Sequence, residues 1–293
     1  MSNTILRKSK EGTLMPIKII TDSGSDLPLE VAEQFNIDII HLPVHFGHER
    51  MPEDTDIQTF YAKMRKSEVL PKTASPSPQV FLDTFKKVEA GTDIMVICMS
   101  SNISSTFQTA MIAKEMYEEE GHPNAIEIMD SKNFSGGQAL IVATAAKGSL
   151  TCSSLEELKL MILDKIEAVN AYFTLHTLEN VIKGGRMNRL SGAVASVLNI
   201  KLLLKISEEG TVEVMEKTRG ISKALTHLLD KLDGKQHDYD KAMIAIVHSN
   251  CEQLALQIKE LILDKHPFKE ILLSCMGPVM GTYAGEGGIG VAF

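Results

Sequence analysis

The sequence predicts an α/β protein in which a parallel-sheet α/β domain precedes a second α/β domain with a mixed sheet. Three observations lead there. Apolar runs ending in hydroxyl-rich loops recur in the first half, each followed by a helical pattern, as βαβ units require. Beyond residue 150 the pattern changes, and a hairpin signature appears among the helices. The length of 293 residues suits two domains of about 100–200 residues each.

The first unit is "PIKIITDSGSDLP", an apolar run ending at Asp22 and Ser23, with a helical pattern from Leu29 to Phe35. The proline-rich stretch "VLPKTASPSPQVFLD" follows. Pro71, Pro76 and Pro78 exclude a helix interior or a central strand, so it reads as a rigid loop. A helix starts at Ser77 or Pro78 and carries Phe81, Phe85 and Val88 on one face. The second unit, "TDIMVICMSSNISS", ends its strand at Ser100 and runs into a helix through Met116. The third, "NAIEIMDSKNFSGG", ends at Asp130 and Ser131 ahead of a helix near Gln138 to Ala146. In an open parallel sheet the ligand crevice lies beyond the carboxyl ends of the strands, where all three loops fall.

From Ser149 the chain enters its second half. "SSLEELKLMILDKIEAV" opens with a serine cap and an acid three residues on. "AYFTLHTLENVIKGGRMNR" gives a strand, a short helix and a Gly-Gly-Arg turn, and "IKLLLKISEEGTVEVMEKTRG" gives two strands joined by "SEEG". A helix, a strand and a helix follow, and the chain finishes in a strand and a glycine-rich turn. The expected organisation is a flexible leader over 1–15, an N-terminal α/β domain over 16–150 and a C-terminal mixed α/β domain over 151–293.

Composition narrows the function. Hydrophobic residues at 44% and charged residues at 23% describe a globular chain. The net charge of −8 argues against nucleic acid, whose binders concentrate Lys and Arg. No run approaches the roughly 18 apolar residues of a bilayer span, so no stable membrane insertion is expected. The first residues lack the apolar middle of a signal peptide, which points to the cytoplasm. Cys98, Cys152, Cys251 and Cys275 form no C-x-x-C pair and read as reduced, buried thiols.

The motifs leave several chemistries open. "HLPVHFGH" places His41, His45 and His48 at metal-like spacing, but Pro43 opposes a helix and the glutamate of the metalloprotease pattern is missing. On a strand His41 and His45 share a face, so strand histidines and a metal pair are both readings. A serine nucleophile needs a base and an oxyanion hole. No G-x-S-x-G elbow exists, although His176, His248 or His266 can approach through the fold. "SSNISST" ahead of a helix suits an anion, with "GGR" and "AGEGGIG" as permissive backbone, yet no nucleotide pattern is matched. Taken singly, Ser23 and Ser131 suit cap or turn duty equally well.

Together these segments resemble the DegV family of bacterial lipid-binding proteins, which includes the fatty-acid-binding subunits of bacterial fatty acid kinase. The likeness runs in order through "KIITDSGSDLP", "PKTASPSP", "SSNISSTFQTA", "DSKNFSGG" and "LENVIKGGRMNRLSG" to the glycine-rich end. It implies a long-chain fatty acid held between two domains by hydroxyl groups on its carboxylate, no catalysis by the chain itself, no cofactor and no metal. It also implies a separate fatty acid kinase as partner, which converts the bound acid to acyl phosphate. By resemblance, Thr73 and Ser101, with Ser100 beside it, hold the carboxylate, and Arg186 faces the kinase. Two departures stand out. Ala74 and Ser75 replace a serine and a glutamine of the family's loop, and Tyr283 stands where the family places a histidine. A tail of about 14 methylenes at roughly 0.8 kcal/mol each supplies near 11 kcal/mol of gross burial, much of it offset by association entropy. Neutral hydroxyls would orient the carboxylate without an arginine clamp and leave one oxygen free to attack a phosphoryl donor. A serine-dependent lipid or ester hydrolase is the alternative, and a small-molecule phosphotransferase a third reading that lacks its ATP motif.

Overall fold

The computed structural model describes residues 17–187, 200–233 and 238–293. The expected leader over 1–15 and part of the "GGRMNRLSG" segment lie outside them.

In chain order the first half comprises β1 (Ile17–Asp22), α1 (Leu29–Gln34), β2 (Asp38–Ile40), β3 (Val44–Phe46), β4 (Glu49–Arg50), α2 (Ile57–Lys66), β5 (Lys72–Thr73), α3 (Pro78–Lys86), β6 (Asp93–Cys98), α4 (Thr106–Glu119), β7 (Ile126–Asp130) and α5 (Ser135–Gly148). The second half adds α6 (Leu155–Ala168), β8 (Ala171–Thr174), α7 (Glu179–Lys183), β9 (Ile200–Ile206), β10 (Val212–Arg219), α8 (Ile221–Asp233), β11 (Met243–His248), α9 (Glu252–Lys265), β12 (Glu270–Cys275), α10 (Pro278–Ala284) and β13 (Ile289–Ala292).

The first sheet is parallel, in the order β2-β1-β6-β7. Its central strands are apolar almost throughout because helices cover both faces. The second sheet is mixed, in the order β10-β9-β8-β13-β11-β12. β11 and β12 run parallel, while β13 inserts antiparallel between β8 and β11. A small sheet, β4-β3-β5, sits apart and carries Thr73. The α/β class, with one parallel and one mixed sheet, is therefore as the sequence indicates.

Local chemistry explains the ends of elements. Pro78 occupies the first turn of α3 behind Ser77, where its missing N–H costs no helical bond. Asp56 caps α2 by accepting from the amides of Gln58 and Thr59. At α6 Ser154 accepts from the Glu157 amide, but Glu157 reaches Ser153 rather than closing the reciprocal box on Ser154. The "SEEG" hairpin closes through Ser207 and Thr211, with Gly210 at φ +74° where a side chain would be strained.

α5 is buried on nearly every side, as its "SGGQALIVATAAKG" composition demands. It packs between the two sheets, in one core with Ile19, Met95, Ala171, Ala245 and Ala292. This brings its N-terminal glycines against the second sheet. His41, His45 and His48 remain on or beside the small sheet, and no group of three metal-ligating side chains assembles among the described residues.

Candidate functional site

An apolar channel lies between the mixed sheet and the start of α5, with about 690 Å³ of empty space including its open mouth. The two-residue period of a strand puts Ala171 and Phe173 of β8, and Gly290 and Ala292 of β13, on one face. Their register pairs Ala292 with Ala171 and Gly290 with Phe173. Opposite them stand Phe134, Gly136 and Gly137, and Met276, Met280 and Tyr283 close another side. A Cβ at Gly136 would lie 3.2 Å from Val247 Cγ1, and one at Gly290 2.9 Å from Val247 Cγ2. Glycine is thus what lets backbone form these walls.

Polar groups gather on the side formed by α7 and α10. The hydroxyls of Tyr283 and Thr73 share a hydrogen bond of 2.5 Å, although 210 positions separate them in sequence. The Arg186 guanidinium lies over the Tyr283 ring, its Cζ 5.0 Å from the ring centre, and Nη1 donates to the Gly184 carbonyl at 2.6 Å. Gly184 is required here, since a Cβ would fall 2.5 Å from the Tyr283 ring. The resemblance has Arg186 facing a partner kinase, which asks for an exposed side chain. It is instead half-buried, because the flat guanidinium gains a cation–π contact on the tyrosine face. Among the described residues lining the channel, Arg186 alone is charged.

The two serines of the second loop differ from each other. Ser100 is fully buried, accepts from the Asn102 amide and donates its hydroxyl to the Gly210 carbonyl at 2.8 Å, tying the loop to the β9–β10 hairpin. Ser101 is half-buried at the end of β6, its amide donating to Asp130. Thr73, Ser100 and Ser101 do not themselves line the channel; Thr73 reaches it through Tyr283. Ser75, at the departure in the proline-rich loop, bonds the hydroxyls of Ser105 and Ser104 and so fastens that loop to the serine loop. Ser23 accepts from the Leu42 amide and Ser131 bonds within its own turn, which is structural duty in both cases.

Two groups that the motif reading passed over hold the site together. Asp26 accepts from Ser135 Oγ at 2.5 Å and from the Gly277 amide at 2.7 Å. One carboxylate thereby joins the first residue of α5 to the start of α10, which are two walls of the channel. Burial raises its pKa to about 7, against the lowering effect of these two donors and with a further push from Asp22. Asp22 is fully buried; burial lifts it to about 6, while the amides of Met99 and Gly24 and the side chain of Gln138 oppose the rise. The signal was present in "DSGSD", two acids four residues apart directly after a buried strand.

The family model described as "Uncharacterised protein, DegV family" matches residues 16–293. The chain belongs to the DegV family. A DegV domain-containing protein of Listeria innocua is 33% identical over 282 residues, covering 94% of this chain and 98% of its own. Among solved structures, the DegV-family protein of Ruminococcus gnavus, refined with vaccenic acid, has a TM-score of 0.87 at 26% identity, covering 95% of this chain and all of its own. The Streptococcus pneumoniae fatty acid kinase (Fak) B3 protein, loaded with linoleic acid, has a TM-score of 0.83 at 27% identity, covering 95% of this DegV-family chain and 99% of its own. In this DegV protein no helix of the described residues is long and apolar enough to cross a membrane.

Proposed function

We propose that this protein binds one long-chain fatty acid, the tail in the apolar channel and the carboxylate on the side of Thr73, Tyr283 and Ser101, and that it presents the acid to a separate kinase for conversion to acyl phosphate. The observation that carries this is a channel walled by glycine, alanine, phenylalanine and methionine with one cluster of polar groups. Burial of an alkyl tail supplies affinity, and hydroxyls orient the head group. Residues 16–150 and 151–293 serve as two domains flanking the ligand, in a chain that acts in the cytoplasm. Its four free cysteines fit a reducing compartment. Ser100 acts by positioning the loop, since its hydroxyl proton is already given to Gly210.

That same bond weighs against Ser100 as a hydrolase nucleophile, because it directs its proton to a carbonyl rather than to a base. We read the protein as a carrier and the chemistry as the kinase's. The half-buried place of Arg186 against Tyr283 gives no support to the kinase-facing role expected for it.

The test is mass spectrometry of an organic extract of the purified protein, with titration of the delipidated chain by palmitate and oleate. A bound fatty acid and saturable binding are expected. Thr73→Ala and Ser101→Ala should each weaken binding by about 1–3 kcal/mol. An extract without fatty acid, together with no affinity for either lipid, would refute the proposal.

A further inference from the structure

Away from the channel, a crevice of about 1690 Å³, open mouth included, lies between the loop after β1, the loop before α2 and the end of β12. It shares no lining residue with the channel. Its floor is apolar, with Leu27, Leu42, Val44 and Val279 buried there, and Leu29 stands at its rim 69% exposed. Five carboxylates line it, those of Asp26, Glu30, Glu53, Asp54 and Asp56, and no lysine or arginine does. Three of the five are committed: Asp26 holds Ser135 and Gly277, Glu53 pairs with Arg50, and Asp56 caps α2. Glu30 and Asp54 are exposed and have no cationic partner among the described residues. One wall is the open edge of a sheet. β12 ends the mixed sheet, paired with β11 alone, and its Leu273, Ser274 and Cys275 line the crevice. Such an edge offers a row of N–H and C=O groups to any extended chain, and proteins commonly blunt it with proline, lysine or a covering element. β12, "EILLSC", carries neither proline nor lysine, and the space alongside its last three residues is the crevice itself.

We propose that this crevice docks an extended, basic segment of a partner protein, which pairs its main chain with the edge of β12 and sets lysine or arginine side chains against Glu30 and Asp54. The two-residue period of a strand suits both surfaces, since one face of the added segment turns to the apolar floor and the other to the acidic rim. The segment therefore alternates apolar and basic residues. Main-chain pairing supplies the seat, and the carboxylates reject acidic or neutral competitors. A second copy of this chain is a poor match, because it carries the same net charge of −8. Nothing in this depends on what fills the channel.

The experiment titrates the full chain with a short capped peptide of alternating lysine and valine, with its glutamate–valine counterpart, and with a lysine–valine peptide N-methylated at every residue, which keeps the charge and removes the main-chain donors. Saturable binding of the first peptide alone is expected, with slowed hydrogen exchange over Glu270–Cys275. Glu30→Lys combined with Asp54→Lys, both at exposed positions, should weaken that binding about 3- to 30-fold, the range for two exposed ion pairs. No saturable binding of the lysine–valine peptide, equal binding of its N-methylated form, unmoved exchange over β12 or unchanged affinity in the double variant would each overturn the proposal. Binding that appears only when residues 1–15 are deleted would give the crevice to the chain's own leader. A dimer of the free chain that sedimentation detects and the double variant dissociates would give it to a second copy. Either result overturns the proposal as well.

Discussion

Asp26→Asn should make the protein more stable at pH 8 and leave it nearly unchanged near pH 4. The carboxylate is buried and its pKa lies near 7 instead of the ordinary 3.8. Each pKa unit is worth about 1.4 kcal/mol, so ionising Asp26 in the folded protein costs roughly 4 kcal/mol relative to the unfolded chain. The folded pKa is the raised one, so the stabilising contribution is full below about pH 4, where both states hold the proton. It is lost as pH climbs from about 4 to 7, because the unfolded chain ionises first. Asparagine removes that dependence. It keeps an oxygen for the Gly277 amide, and the Ser135 hydroxyl can turn to accept from the new amide, so about 1 kcal/mol of hydrogen bonding is at risk. The net expectation at pH 8 is a gain of about 1–3 kcal/mol. Urea denaturation of the delipidated protein and variant at pH 4.5 and pH 8 measures it. A variant-minus-wild-type difference that stays constant between these pH values would show that Asp26 is not a buried, late-ionising acid, and the reasoning would fail.

Other expectations concern the channel and its frame. Tyr283→Phe keeps the ring beneath Arg186 but removes the bond to Thr73. Palmitate affinity should fall by about 1–3 kcal/mol if the phenol serves the head group, and unchanged calorimetric binding would confine Tyr283 to the wall. Ala292→Phe should fill the channel at its pairing with Ala171 and suppress palmitate uptake while circular dichroism stays native; undiminished uptake would place the tail elsewhere. Gly281→Val should destabilise by about 1–3 kcal/mol, since its Cβ would lie 2.7 Å from Tyr61 Oη and 2.9 Å from Phe60. A thermal midpoint equal to wild type would contradict that close approach.

The parallel sheet was legible because its strands are continuous apolar runs with polar ends, a pattern set by burial on both faces. The loops after β1, β6 and β7 were likewise visible as Asp-Ser and Ser-Ser stops. The order of the mixed sheet was not, since β13 reaches its place between β8 and β11 through long-range pairing that no local pattern encodes. α10 was also missed. "GPVMGTYAGEGG" is poor in helix formers, and the helix is secured instead by packing on α2, with Tyr61 donating to the Met276 carbonyl just before it. At the site, resemblance gave Thr73 and Tyr283 as separate residues, and only folding shows that they bond to each other. Ser100 and Ser101 look alike in sequence; their difference comes from a hairpin more than a hundred residues away that claims one hydroxyl.

The channel's walls differ in stiffness. Around Gly136 and Gly290 the boundary is main chain pressed close to Val247, and main chain in a helix or a ladder has no rotamers with which to yield. Another side of the channel includes Met276 and Met280, whose unbranched thioethers rearrange at little cost. A straight saturated tail and one bent by a cis double bond differ in the width they demand at the bend. The rigid side imposes the same contour on both, so accommodation of the bend falls to the methionines. Replacing them with β-branched residues would turn a tolerant channel into one that sorts acyl chains by shape.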